Sequence, residues 1–370
     1  MITSPRKAHL SAITVILALA LSFGLLSCSD DNCETCPTCP EVKSSNDIYD
    51  GLLYASVSCP WDDNMQGVYI FDMKSEELVD SIVGFAASSP EIEVSPDGTL
   101  LAVNDANATT WIYDTRTKEV LASFSLQALY GFLQDGKYLL LHRLKTWIYS
   151  VPDFTLLHVD TLDVHWNASS SRARNTFYSI ANRRIFYEYS LDSFQIVRSW
   201  RPHDDEGMPY DMWSFDMSAD EQLLYLICVS PRSCAFVTYD LEADSLINEY
   251  PIFSWVGDVC ASPVGGDVYV TDPGLPPLDP MGTVYVFDDG TGEYLNGISL
   301  YGYREDPRWP LSARCMCMAP DGSQLYVVSD ITFLDYGTVF RIDTKTRRIE
   351  NFLFPQIDRF VDDVAIGPKP

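Results

Sequence analysis

The chain has 370 residues, 46% of them hydrophobic, and a single core stops growing at roughly 250–300 residues, so this length implies several domains or a repeat array. Its 25 Lys and Arg against 52 Asp and Glu give a net charge of −27. So acidic a surface repels phosphate backbones and argues against nucleic acid, leaving cations, basic proteins and neutral peptides or sugars as partners.

Arg6 and Lys7 precede a charge-free stretch from Leu10 to Leu26, the pattern of an export signal, so residues 1–27 are expected to be removed and the charge to become −29. Leu25-Leu26-Ser27-Cys28 resembles a bacterial lipoprotein box, which implies cleavage before Cys28 and diacylation of its sulfur. At about 0.8 kcal/mol per buried methylene, two or three acyl chains hold a protein on a membrane. Ser29-Asp30-Asp31 is similar to the acidic surface-export signals of some Gram-negative lipoproteins, so the expected location is the bacterial cell envelope, at the outer membrane, facing the periplasm or the surface.

Residues 28–50 are polar and strandless and read as a Cys-rich tether, the part after Cys28 reaching roughly 70 Å at about 3.3 Å per residue. Cys33, Cys36 and Cys39 have a spacing that suits zinc or a cluster but lack a fourth ligand, and disulfides or oxidised thiols are the alternative. Nine cysteines besides Cys28 is an odd number, so at least one stays unpaired within the chain. Cys228 and Cys234 flank a short loop and could bridge it; Cys260 and Cys317 share a repeat register.

From Leu52 onward the chain repeats one pattern, clearest from Glu91 to Leu121. Four short runs rich in Val, Ile, Leu, Trp and Tyr are separated by a Pro96-Asp97-Gly98 corner, a loop, and a second corner at Thr115-Arg116-Thr117. The residue before the second corner recurs as Asp72, Asp114, Ser150, Ser190, Asp240, Asp288 and Asp343, which marks seven units, and these side chains are expected to cap their own turns. The first corner recurs near Gln134, Asn175, Ser218, Ser262 and Ala319. Unit one has only three strands, LLYASVS, GVYIFD and ELVDSI, and its missing strand lies at the opposite end of the chain, Val361 to Pro368.

A sheet of this kind cannot bury both faces alone, and an array whose last strand completes its first sheet has no open edge. The pattern over residues 51–370 resembles the YVTN and WD-repeat-like seven-bladed β-propellers, YncE-like lipoproteins included. The tetrad itself is approximated at Val268-Tyr269-Val270-Thr271 and Tyr326-Val327-Val328-Ser329. The resemblance implies an all-β fold closed by the C-terminal strand.

In such a ring the two corners of each blade share one face, and the remaining loops share the other. Blades five, six, seven and one carry the long ones, at 59–66, 201–212, 230–234, 272–282, 301–313, 334–337 and 354–359. Length gathered in one sector points to binding, and Trp61, Asp62, Asp205, Tyr210, Tyr303, Arg304, Arg308 and Trp309 are the expected ligand-binding residues. Four residues before the first corner stand Glu91, Asp258 and Asp363, expected at the channel mouth with Arg314 as a neutralising partner; a bound Ca²⁺ is the other way to relieve three carboxylates. Asp62-x-Asn64-x-Gln66-Gly67 echoes a calcium loop, but Met73 stands where its bidentate Glu belongs.

G-x-S-x-G, H-E-x-x-H, the P-loop and G-x-G-x-x-G are absent, and His142, His158, His165 and His203 are scattered. Some similar propellers are lactonases or quinone-dependent dehydrogenases, but the vicinal Cys-Cys pair of the latter is missing here. The expectation is a monomeric, lipid-anchored, non-catalytic module that binds an envelope protein or glycan. The alternative is a hydrolase or lactonase that uses the channel-mouth carboxylates.

Overall fold

The computed structural model describes residues 48–370 except 59–65, 85–90, 106, 144, 161–164, 172, 204–206, 230–233, 253–256, 273–281, 301–310, 332–335 and 354–359. Among the described residues every regular element is a β-strand, and no helix is long and apolar enough to cross a membrane.

Blade one is assembled from both ends of the chain. Its strands are β1 (Gly51–Ser58), β2 (Gly67–Asp72), β3 (Leu78–Val83) and, innermost, β28 (Phe360–Pro368), in the order β28-β1-β2-β3. The other six blades run from inside outward in chain order. Blade two is β4 (Glu91–Val94), β5 (Leu100–Asn104), β6 (Thr110–Asp114) and β7 (Val120–Phe124). Blade three is β8 (Ala128–Leu133), β9 (Tyr138–His142), β10 (Thr146–Ser150) and β11 (Leu156–Asp160). Blade four is β12 (His165–Ser171), β13 (Thr176–Ala181), β14 (Ile185–Ser190) and β15 (Ile196–Trp200). Blade five is β16 (Asp211–Met217), β17 (Leu223–Val229), β18 (Cys234–Asp240) and β19 (Ser245–Ile252). Blade six is β20 (Val259–Ala261), β21 (Asp267–Asp272), β22 (Thr283–Asp288) and β23 (Tyr294–Ser299). Blade seven is β24 (Leu311–Met318), β25 (Gln324–Ile331), β26 (Tyr336–Asp343) and β27 (Arg348–Leu353).

Successive innermost strands are neighbours all the way round, including β24 beside β28 and β28 beside β4, so the ring closes. The core consists of seven apolar clusters, one in each gap between adjacent blades. Between blades one and two, for example, Tyr54, Val68 and Ile70 meet Ile92, Leu101 and Val103. All eight residues of β1 are buried because strands flank it on both sides and blades cover both faces.

The corners form as their side chains dictate. Asp72 Oδ1 accepts the amides of Lys74 and Ser75 at 2.9 and 3.0 Å, and Asp114, Asp240 and Asp288 repeat the arrangement. Four residues after each cap the backbone takes the left-handed conformation, at Glu76, Lys118, Phe154, Phe194, Asp244, Gly292 and Arg347. At the first corner of blade two, Ser95 Oγ donates to Asp97 Oδ1 at 2.6 Å and accepts the Leu100 amide at 2.9 Å; Ser218 does the same with Asp220 and Leu223.

Every outer strand carries a bulge opposite its blade's third strand. The skipped residue is Val79, Leu121, Leu157, Val197, Ile247, Leu295 or Glu350, and the six aliphatic ones are exposed. A bulge interrupts the row of unpaired backbone groups and twists it away from flat pairing, which protects each exposed edge from association with another sheet.

Candidate functional site in the central channel

The innermost strand of each blade has only one neighbour in its sheet, so part of its backbone N–H groups face the channel and need other acceptors. Carboxylates of the preceding blade supply four of them. Asp363 Oδ2 accepts the Ile92 amide at 3.0 Å, Glu93 Oε1 that of Phe132 at 2.9 Å, Asp216 Oδ2 that of Ala261 at 2.8 Å, and Asp258 Oδ2 that of Met316 at 3.1 Å. The second oxygen of each aspartate accepts the amide of the following residue, at 2.8–2.9 Å, and Ser214 Oγ also donates to Asp258 Oδ1 at 2.8 Å. Gly131 makes room for Glu93, since a methyl there would lie 2.4 Å from its Oε2.

These side chains fall in two registers counted back from the first corner. Four residues before it stand Glu91, Ser214, Asp258, Cys315 and Asp363; two residues before it stand Glu93, Asp216, Cys260 and Cys317. The period-2 alternation of a strand places both registers on the same side. Counting four back finds Glu91, Asp258 and Asp363, and one further step of two would have found Glu93 and Asp216. Arg314 lies in a bulge of β24, where two residues on that strand are skipped, and it is exposed while Cys315 takes the channel register.

The clasping carboxyls are half-buried, and desolvation outweighs the amide donors. Burial, with a small contribution from Asp363, pushes Glu93 up to about 8. Burial with Glu91 and Asp258 nearby pushes Asp363 to about 7, and Asp216 rises to about 6 for the same reason with Asp258 as its charged neighbour. Asp258 and Glu91 are raised too, both chiefly by desolvation, although Glu91 keeps much of its side chain open to solvent and an Asn104 hydrogen bond at 3.4 Å. Cys260, Cys315 and Cys317 are free thiols pushed well above the usual range by burial and by these carboxylates, so they stay protonated and weakly nucleophilic. The channel wall is therefore a set of carboxyls with raised pKa values and neutral thiols. Among the described residues no three His, Cys, Asp or Glu groups converge on a metal position.

Of the expected ligand-binding residues, Trp61, Asp62, Asp205, Tyr303, Arg304, Arg308 and Trp309 lie outside the described residues, as do Cys28 and the tether cysteines. Tyr210 is fully buried in the cluster between blades four and five, because its amide donates to Pro202 O at 3.1 Å and a bridge between His203 and Pro209 folds the segment back on itself. Cys228 and Cys234 cannot bridge without rearrangement: Cys228 sits opposite Ala235 and Cys234 opposite Val229, so they point to opposite faces of blade five and join different clusters. His142 is buried beside Tyr130, and burial lowers it to about 4, which keeps the ring neutral.

The fold and its channel define a seven-bladed β-propeller with half-buried acids clasping four of its blade junctions. No family model matches the chain, and no curated protein does. Among solved structures it is similar to hydrazine synthase of Kuenenia stuttgartiensis, with TM-score 0.57 and 18% identity over 70% of this chain and 77% of that one. It is similar also to the dihydro-heme d1 dehydrogenase NirN, with TM-score 0.57 and 15% identity over 87% of this chain and 66% of that one. A functionally unknown protein from Desulfotomaculum acetoxidans DSM 771 aligns over 87% of this chain and 100% of its own, with TM-score 0.61 and 13% identity. At such identities the likeness extends to the fold alone.

Proposed function

We propose that this chain is a lipid-anchored propeller of the bacterial cell envelope, of the YVTN and WD-repeat-like, YncE-like kind, held at the outer membrane through Cys28. It binds a protein or glycan partner through the loops of blades five, six, seven and one. The observation that carries this reading is the position of the strand ends. Second-to-third-strand and blade-to-blade strand ends all lie on the face opposite the capped corners, so the described strand ends that border the long loops at 59–66, 201–212, 272–282 and 301–313 share one side of the ring. The channel carboxylates are engaged as clasps, which suits a scaffold better than a reaction centre.

Two measurements test this. A clickable fatty acid fed to cells should label the wild-type protein and leave Cys28→Ser unlabelled. Replacing residues 301–310 with a four-residue Gly-Ser turn should abolish binding to purified envelope glycan or outer-membrane protein while melting stays unchanged; unlabelled wild type, or binding that survives the loop exchange, refutes it. The second reading, an acid–base hydrolase or lactonase, is favoured by the raised Glu93 and Asp363. It requires turnover of a lactone or ester that Glu93→Gln or Asp363→Asn removes.

A further inference from the structure

Between blades two and three, away from the long-loop sector, a groove of about 650 Å³ is lined by Ser125, Leu126, Gln127, Arg143, Lys145, Trp147 and Val159. Its floor is apolar. Trp147 and Val159 are paired across β10 and β11 and so face the same way. Leu126 closes one side, 57% exposed, in a left-handed backbone conformation with φ of 62° that non-glycine residues seldom adopt. The connection that presents it is fixed at the next residue: Thr110 Oγ1 donates to Gln127 O at 2.7 Å and Tyr149 OH to Gln127 Oε1 at 3.2 Å.

The rim is basic. Arg143 and Lys145 stand on either side of a tight turn closed by the Arg143 amide donating to Lys145 O at 3.1 Å, and both are exposed. In a chain of net charge −27, Lys118, Arg184, Arg198, Arg341, Arg347 and Lys369 pair with carboxylates. Among the described residues Arg143 and Lys145 make no ion pair, and the neighbouring Asp160 accepts the Tyr189 hydroxyl at 2.9 Å.

We propose that this groove binds an anionic ring: a flat apolar face laid on Trp147, Leu126 and Val159 with its carboxylate reaching Arg143 and Lys145. The volume suits a small ligand, and a planar guanidinium beside an ammonium fits a carboxylate better than any neutral group. Uronic-acid residues of a glycan and small aromatic carboxylates share this chemistry.

Calorimetric titration of the mature chain at low salt with trigalacturonate and, separately, with 2-naphthoate tests it. At least one should bind with Kd between about 10 μM and 1 mM, and Arg143→Glu with Lys145→Glu should weaken that binding at least about tenfold. Arg143→Gln with Lys145→Gln should weaken it less, and raising the salt should weaken it in the wild type. Binding of trigalacturonate alone identifies a glycan site, and of 2-naphthoate alone a small-acid site. No heat with either probe at about 5 mM, or an undiminished affinity in the charge-reversed variant, overturns the proposal. Exchange of the 301–310 loop leaves this binding unchanged, so its outcome is separate from that of the partner-binding loops.

Discussion

Two kinds of residue set the local energetics, those that permit a turn and those that hold a proton. Gly292 is the only glycine among the seven left-handed corner positions, and its neighbours explain why. A Cβ there would sit 2.2 Å from Thr238 Oγ1 on blade five, and its carbonyl accepts Asn248 Nδ2 at 2.8 Å. Gly292→Ala therefore adds a clash to an unfavourable φ, and a loss of about 2 kcal/mol in denaturant unfolding is expected. Glu93 and Asp363 set a pH dependence. Their folded pKa values lie above the ordinary carboxyl range, so the folded state binds more protons and stability is fully present below about pH 4 for this contribution. It is lost as pH rises through about 7 to 8. Melting temperature should fall between pH 5 and pH 8, and Glu93→Gln, which keeps an acceptor for the Phe132 amide without a charge, should flatten that slope. At pH 8 the variant should gain on the order of 1 kcal/mol, or about 2–4 °C. A wild-type profile that rises with pH would refute the assignment.

Among the elements, β28 matters most. It pairs with β1 over its whole length, buries Val361 and Val364, and passes the Asp363 clasp to blade two. Two buried valines contribute about 1.5–3 kcal/mol each, against a total stability of about 5–15 kcal/mol. Truncation after Asp358 also bares β1 as an edge, so a melting point lowered by more than about 10 °C, or aggregation, is expected; calorimetry showing an unchanged transition would remove the closure argument. The strand was legible because the count of corner residues left blade one a strand short and Val361 to Pro368 had the matching pattern. Less legible were the outer-strand bulges. Pairs such as Leu78-Val79 and Ile196-Val197 are apolar, yet both residues of each are exposed. A bulge depends on backbone geometry that apolar spacing does not encode. The same limit hid the displacement of Arg314 by Cys315, while Tyr210 escaped because a polar stretch that folds back on itself has no period to reveal it.

Over the whole molecule, the acidic balance has a physical place. Part of it caps corners at the surface, and part is drawn into the channel, where protonation spares the ring some of the repulsion that a net charge of −27 would impose. Sevenfold order was visible in the sequence because turn chemistry is local, whereas the clasps join residues from different blades: Asp363 and Ile92 lie 271 positions apart. Lys369 bridges Asp50 and Asp72 where the last strand meets the first. Both ends of the ring thus leave side by side from the corner face. A protein fused behind Pro370 would therefore start beside Ile48 on that rim, so a reporter joined at the C terminus would leave the opposite surface clear.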